Sequence, residues 1–411
     1  MMKRGVMLLL VSCYWVMGVR AQLSNYVKKE TAEIRSVQLN DTDWTDLAAF
    51  AAAVKDKRVV MLGEQTHGDG TTFALKARLV RFLHEKMGFN VLAFESDFIS
   101  LAGYEKQRDS ADAALFVSKN VFGIWTACKT VKPFFNTYLP KQINLKVCGF
   151  DSQLHGDVME HASKDSVLRL WEKAAGIELV MQERQFAARW MDSVMSYGRK
   201  QSVDSLNALQ GILSGLYQKM PQDKSFLRQS CESVLHEVVS RINYSMGKQN
   251  HYERDAQMAR NLKWLANEKY PNEKIIVWAH SAHIAKYPYR ASLSEIGEKA
   301  MMGNILAADS AFRKMSYIVG VTSFSGSVSW ATTEIYDMKI QSPAKESFER
   351  WVPEDMRFAF TELSSWIASG GNIDTKFNMK GSIYTQHFNV SLPWLRVFDG
   401  MLFVRNMEGC R

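Results

Sequence analysis

Five short apolar runs, with a sixth near the C-terminus, constrain this chain more than any other feature. Each has the length of one strand, and most close on polar residues. They are Arg58–Glu64, Asn90–Glu95, Leu145–Asp151, Lys274–His280, Tyr317–Thr322 and Gly400–Arg405. A run that is apolar at nearly every position, not at every second one, predicts a strand covered on both faces, as in a parallel sheet. The segments between them read as helices. Thr72–Met87 carries Leu75, Leu79, Phe82 and Leu83 at helical spacing, with Gly88 placed to end it. Arg254–Lys269 carries Met258, Leu262 and Leu265 on one face. Strand and helix alternate, which predicts an α/β fold with a mostly parallel central sheet flanked by helices.

Residues 157–250 break that alternation. Apolar residues recur there at helical spacing (Leu168, Trp171, Leu179, Phe186, Trp190, Val194), and no strand-like run interrupts them. This predicts a helical insertion or cap between two strands. Beyond Thr322, Ser323–Ser329 reads as a serine-rich loop. Residues 340–390 read as irregular, with one helix at Thr361–Ala368.

The first 21 residues stand apart. Lys3 and Arg4 precede an apolar run from Gly5 to Val19, and Ala21 supplies a small residue before Gln22. This is the layout of a secretory signal peptide, predicting an exported protein, periplasmic or extracellular. A membrane anchor and a lipoprotein site at Cys13 are alternative readings. The run is short for a span of about 20 residues, and no later stretch predicts a stable membrane span. The remaining residues, 22–411, form the predicted catalytic domain. Losing Lys3, Arg4 and Arg20 lowers the formal net charge from +8 to +5. The charges are interspersed, so nothing points to nucleic acid as a partner. Cys128, Cys148, Cys231 and Cys410 remain. Their spacing fits no zinc motif, and export permits a disulfide that spacing alone does not assign.

In an open parallel sheet, ligands bind beyond the carboxyl ends of the strands. Glu64, Glu95, Asp151 and His280 end four of the predicted strands, and His67 and His283 lie three residues past two of those ends. Most of the candidate acid–base groups therefore converge on one rim. Gly63 and Gly68 bracket a tight turn that would aim Glu64 and His67 inward. Glu95 would orient a histidine or a water, or else pair with Arg254 or Lys76. Two histidines three apart, His280 and His283, are unusual in a chain with 9 His. Lys76 and Arg254 would bring positive charge to a developing oxyanion. Three histidines with two carboxylates also fit a zinc site, which keeps a metal-dependent hydrolase open as an alternative. His84, His155, His161, His236, His251 and His387 have no comparable context and read as surface or structural residues.

These blocks resemble the erythromycin esterase family. Gly63-Glu64-Gln65-Thr66-His67-Gly68 is similar to its GExTHG signature, Arg254-Asp255 with Met258, Ala259 and Asn261 to its RDxxMAxN helix, and Trp278-Ala279-His280-Ser281-Ala282-His283 to its WAHNxH segment. Phe94-Glu95, Gly149-Phe150-Asp151 and Met302-Gly303 fit at matching positions, and the resemblance runs from about residue 45 to the C-terminus. It departs at Ser281, where the family usually has Asn, and at Asp69–Thr72, which lacks an acidic residue before Phe73. The resemblance implies ester cleavage without a metal or other cofactor, as in the opening of macrolide lactones in antibiotic resistance. It implies His67 as general base, Glu64 and Glu95 as orienting groups, and His280 and His283 as groups that position water and polarise the carbonyl. Lys76, Arg254 and Asp151 would complete the substrate pocket. The expected partner is a small-molecule ester or lactone. An exported binding protein that keeps the pocket without turnover is the third reading.

Overall fold

A computed structural model describes residues 20–108, 110, 112–196, 198–248, 251–286, 301–332, 337–382 and 387–410. The signal-peptide reading therefore falls almost entirely outside the described residues. Helix 20–30 begins at its end and buries Leu23 and Val27.

Eleven strands are named in chain order: β1 (Ala32–Ile34), β2 (Val59–Leu62), β3 (Phe89–Asp97), β4 (Lys146–Asp151), β5 (Lys274–Trp278), β6 (Ser316–Val328), β7 (Met338–Lys339), β8 (Phe358–Glu362), β9 (Phe377–Ser382), β10 (His387–Leu392) and β11 (Gly400–Met407). The main sheet has the order β1-β8-β11-β6-β2-β5-β3-β4, with β7 added beside β6. From β11 to β4 every neighbouring pair is parallel, and β8 and β1 extend the edge in antiparallel fashion. The mostly parallel sheet expected from the apolar runs is present. Side chains on the strands alternate between two cores. Val60, Leu62, Leu92, Phe94, Ile276 and Trp278 face one. Val59, Met61, Val91, Ala93, Ile275 and Val277 face the other. Burial on both faces is why the runs are continuously apolar.

Helix α1 (Gly70–Met87) joins β2 to β3 and ends at Gly88, whose φ of 72° is left-handed and easily adopted without a side chain. Between β4 and α6 (His251–Trp264) the described residues hold helices only. The longer ones are α2 (Lys164–Ala175), α3 (Met181–Val194), α4 (Val203–Lys219) and α5 (Phe226–Ser245), and they enclose a core of their own around Leu168, Trp171, Leu209, Leu213 and Val234. Among the described residues no helix is long and apolar enough to cross a membrane.

The segment after Thr322 differs from the sequence reading. Ser323–Ser329 is no loop: β6 continues to Val328 because its backbone pairs with β11 through Ser325 and Gly326 and with β7 at Val328. The helix expected at Thr361–Ala368 begins only at Ser364. Phe358–Glu362 instead fills the place between β11 and β1 as β8. Cys128 and Cys410 form a disulfide, while Cys148 and Cys231 are buried free thiols.

Candidate active site

Strand order places the site. The connection from β2 leads toward β3 on one side, and the connection from β5 leads to β6 on the other, so the chain leaves adjacent strands in opposite directions. A crevice opens at such a switch point; Glu64 and His280 stand just past the ends of β2 and β5, and Glu95 lies near the C-terminal end of β3. In register, Leu62 pairs with Trp278 and Trp278 with Phe94. Between Phe94 and Asp97, β3 holds one more residue than the matching stretch of β4. A bulge of this kind re-aims side chains, and it falls on Glu95. Gly63 has ordinary backbone angles. A Cβ there would meet Ser281 Oγ at 2.4 Å, so the glycine is required for close approach between strand ends and not for a left-handed turn.

The site has two halves. In the first, the Glu64 carboxylate is fully buried. Its Oε1 lies 2.9 Å from His67 Nδ1 and accepts the Trp125 indole N–H at 2.8 Å, and its Oε2 receives Lys76 Nζ at 2.5 Å. Lys76 is also fully buried, 4.4 Å over the Trp278 ring, and burial lowers its pKa against the pull of Glu64. With Nδ1 held by a carboxylate, the neutral His67 ring carries its proton there, and Nε2 is the basic nitrogen. The His67 side chain is 30% exposed, which leaves it open to a small molecule.

In the second half, Glu95 accepts His280 N–H at 2.8 Å and Arg254 Nη2 at 3.0 Å, with His283 Nε2 at 3.3 Å. Burial alone would raise its pKa. His283, Arg254, His67 and the backbone amide outweigh burial and bring it to about 2. His283 Nδ1 sits 2.8 Å from Asp255, which also accepts the Met302 amide. Burial works against protonation of His283, but Asp255 and Glu95 prevail and raise its pKa. Arg254 Nη1 lies 3.4 Å from His283 Nε2. Glu95 Oε1 lies within reach of both side chains and holds them together. Asp151 grips Arg254 with both oxygens, at 3.0 Å to Nε and 2.6 Å to Nη2.

His280 lies between the halves. Its Nε2 donates to the Gln65 carbonyl and its Nδ1 accepts the Ala282 amide. Burial, with His67 and His283 nearby, holds its pKa well below the usual imidazole range. It is a neutral spacer with both ring nitrogens occupied by backbone, not a group poised to polarise a carbonyl. Lys76 and Asp151, expected to contact substrate, are fully buried behind the groups they support. Trp125 and Asp255 were not among the candidates. Asp255 had a signal in its place beside Arg254, whereas nothing local marks Trp125, which arrives from a distant segment. Among the described residues no three His, Cys, Asp or Glu side chains converge as a metal would need.

The family model for erythromycin esterase matches residues 84–407. The chain belongs to the erythromycin esterase family. Glu64, His67 and Lys76 precede the matched region, so their assignment rests on geometry. A protein of Bacillus subtilis (strain 168) named YbfO, described only provisionally as a hydrolase, is 26% identical over 316 residues, covering 68% of each chain. Solved structures share the fold at 16% identity. A succinoglycan biosynthesis protein superposes with a TM-score of 0.72 over 95% of this chain and 98% of that one. A variant of the erythromycin esterase EreC in its open conformation gives 0.62 over 90% and 96%. Membership makes this erythromycin esterase-like chain a hydrolase.

Proposed function

We propose that this erythromycin esterase-like protein hydrolyses a carboxylic ester or lactone by direct attack of water, with His67 as general base. The observation that carries the reading is the Glu64–His67 pair, a partly exposed imidazole whose Nδ1 is fixed on a buried, doubly supported carboxylate. His67 Nε2 takes a proton from water as the water oxygen bonds to the carbonyl carbon. The carbonyl electron pair moves to oxygen, and Arg254 Nη1 supplies a donor to that oxyanion. Collapse breaks the ester C–O bond, and the imidazolium returns its proton to the leaving alkoxide. Glu64 stabilises the imidazolium meanwhile, as the carboxylate of a catalytic triad does. His280, locked by backbone, stands between the His67 and His283 rings, 5.1 and 6.2 Å from them.

Against zinc binding by His67, His280 and His283 together stands His280, both of whose ring nitrogens are taken by backbone. The test is a panel of simple esters, lactones and macrolides, assayed before and after chelation, with metal analysis of the purified protein. We expect turnover that survives chelation. Stoichiometric zinc with activity lost on chelation decides for the metal-dependent alternative, and binding without turnover decides for a binding protein. We propose export as well, which the charged and apolar start of the chain and the Cys128–Cys410 disulfide support. A fusion of residues 1–30 to a reporter active only after export tests it, and a silent reporter contradicts it.

A further inference from the structure

Asp69 is the N-terminal flanking residue of α1, yet its side chain does not cap that helix. Aspartate at this position normally accepts amides of the first turn. Here it turns back. Oδ2 accepts the amides of Gln65 and Thr66 at 3.1 and 2.9 Å, and Oδ1 accepts the Thr66 hydroxyl at 2.8 Å. These bonds close the turn that carries His67. Asp69 Oδ1 also lies 2.9 Å from His387 Nε2, and His387 Nδ1 lies 2.8 Å from Ser323 Oγ. Asp69 and Ser323 are fully buried and His387 is 4% exposed. Gln65 adds a second tie, its Nε2 donating to the Lys380 carbonyl at 2.6 Å. Parts of the chain more than 300 residues apart thus meet at this turn: Asp69, Ser323 on β6, and the β9–β10 hairpin with Lys380 and His387.

We infer that His387 is a positioning residue for His67, acting through Asp69, with Ser323 fixing its tautomer. This rests on the reading of His67 as the base. A carboxylate only accepts, so His387 Nε2 carries the proton, and Nδ1 accepts from the Ser323 hydroxyl. The Ser323 hydroxyl also lies 3.4 Å from Gln65 Oε1, and its one proton goes to the nearer His387 Nδ1. Ser323 has no exposed surface and cannot meet a substrate, so the Ser–His–Asp order is not a nucleophilic triad. Its chemical effect is on a turn: Asp69 keeps the 65–66 amides in place, and the Gln65 carbonyl in turn receives His280 Nε2. Both His67 and its neutral neighbour are set by the same short segment. A displacement of about 1 Å in a catalytic group costs about 10²-fold in rate.

The experiment compares His387→Phe, His387→Gln and Ser323→Ala in the full chain. Readouts are steady-state ester hydrolysis and the ring-nitrogen NMR resonances of ¹⁵N-histidine-labelled protein. His387→Phe should lower kcat about 10²-fold, leave KM within about twofold, and shift the His67 resonances. His387→Gln places an amide donor toward Asp69 and a carbonyl toward Ser323, and should recover most of the loss. Ser323→Ala should fall between them and stays informative if His387→Phe does not fold. Unchanged His67 resonances and kcat in folded His387→Phe, or in Ser323→Ala, overturn the inference. A glutamine variant as poor as phenylalanine overturns it too, because a donor toward Asp69 and an acceptor toward Ser323 then restore nothing. Should His67→Ala leave turnover intact, the general-base reading fails, while the resonance shifts still decide whether His387 positions the turn.

Discussion

Two glutamates, one on the rim of the sheet and one in the helical insertion, are equally buried and yet titrate in opposite directions. Glu95 on β3 is held at about pKa 2. Glu237 on α5 is pushed up to about 8, first by burial and then by the negative charge of Asp151, against weaker help from Arg241 and Arg254. Desolvation acts alike on both. What differs is the partners. Glu95 meets the His283 imidazole, the Arg254 guanidinium and a backbone amide, whereas Glu237 accepts from the Ser152 hydroxyl at 3.3 Å. The rim is built to keep charge in a buried place. The insertion behind it is built around a carboxyl that stays protonated at neutral pH. A carboxylate that stays charged in this fold is therefore recognised by its donors and not by its depth.

The largest expected effect comes from removing the shared cation. Arg254→Met leaves Glu95 and Asp151 buried without their guanidinium. Loss of one partner of a buried pair costs about 3–5 kcal/mol, to be read from urea unfolding at pH 7. A loss under about 1 kcal/mol would mean that the rim charges are held by something else. Next is Lys76→Met, which strips Glu64 of its buried ammonium. Glu64 should then hold His67 less firmly, and kcat should fall about 10²-fold with the fold retained; unchanged turnover would detach Lys76 from the site.

The pH dependence sharpens the contrast, and the signs are opposite. Folded Glu237 keeps a proton that the unfolded chain releases, so its contribution declines as pH rises from about 4.5 toward 8. Glu237→Gln should remove that decline, a difference of at most about 1.4 kcal/mol per pH unit. Equal slopes for the variant and the parent would show that Glu237 is ionised in the fold. Glu95 has a depressed pKa. Its contribution is complete above about 4.5 and is lost as pH falls toward about 2. Glu95→Gln should flatten the acid limb of the stability curve, and an acid limb as steep as the parent's would show that Glu95 is not held charged in the fold.

How much the sequence disclosed follows the same physics. The central strands were legible because burial on both faces makes them apolar throughout, and their polar endings pointed to Glu64, Glu95, Asp151 and His280 together. The edge was not legible. β8 and the extension of β6 are specified by partners distant in sequence, and the serines of β6 look like loop residues until Ser323 and Ser325 are seen bonded to His387 and the Arg405 carbonyl. His387 read as a bystander for the same reason. Its meaning lies in Asp69, more than 300 residues away, and no local spacing encodes that meeting. Lys76 and Asp151 were found as charged residues near the rim, but only packing separates a group that meets substrate from one that holds the group that does.

The central claim is that His67 is the base. The measurement is turnover of a cleavable ester by His67→Ala, alongside its unfolding midpoint and a rapid-quench search for acylated protein in the parent enzyme. We predict a loss of about 10²–10⁴ in kcat, a fold that survives because His67 is a partly exposed rim residue, and no covalent intermediate. A folded His67→Ala variant with near-parental turnover, or an acyl-enzyme trapped during the parent's reaction, would contradict it.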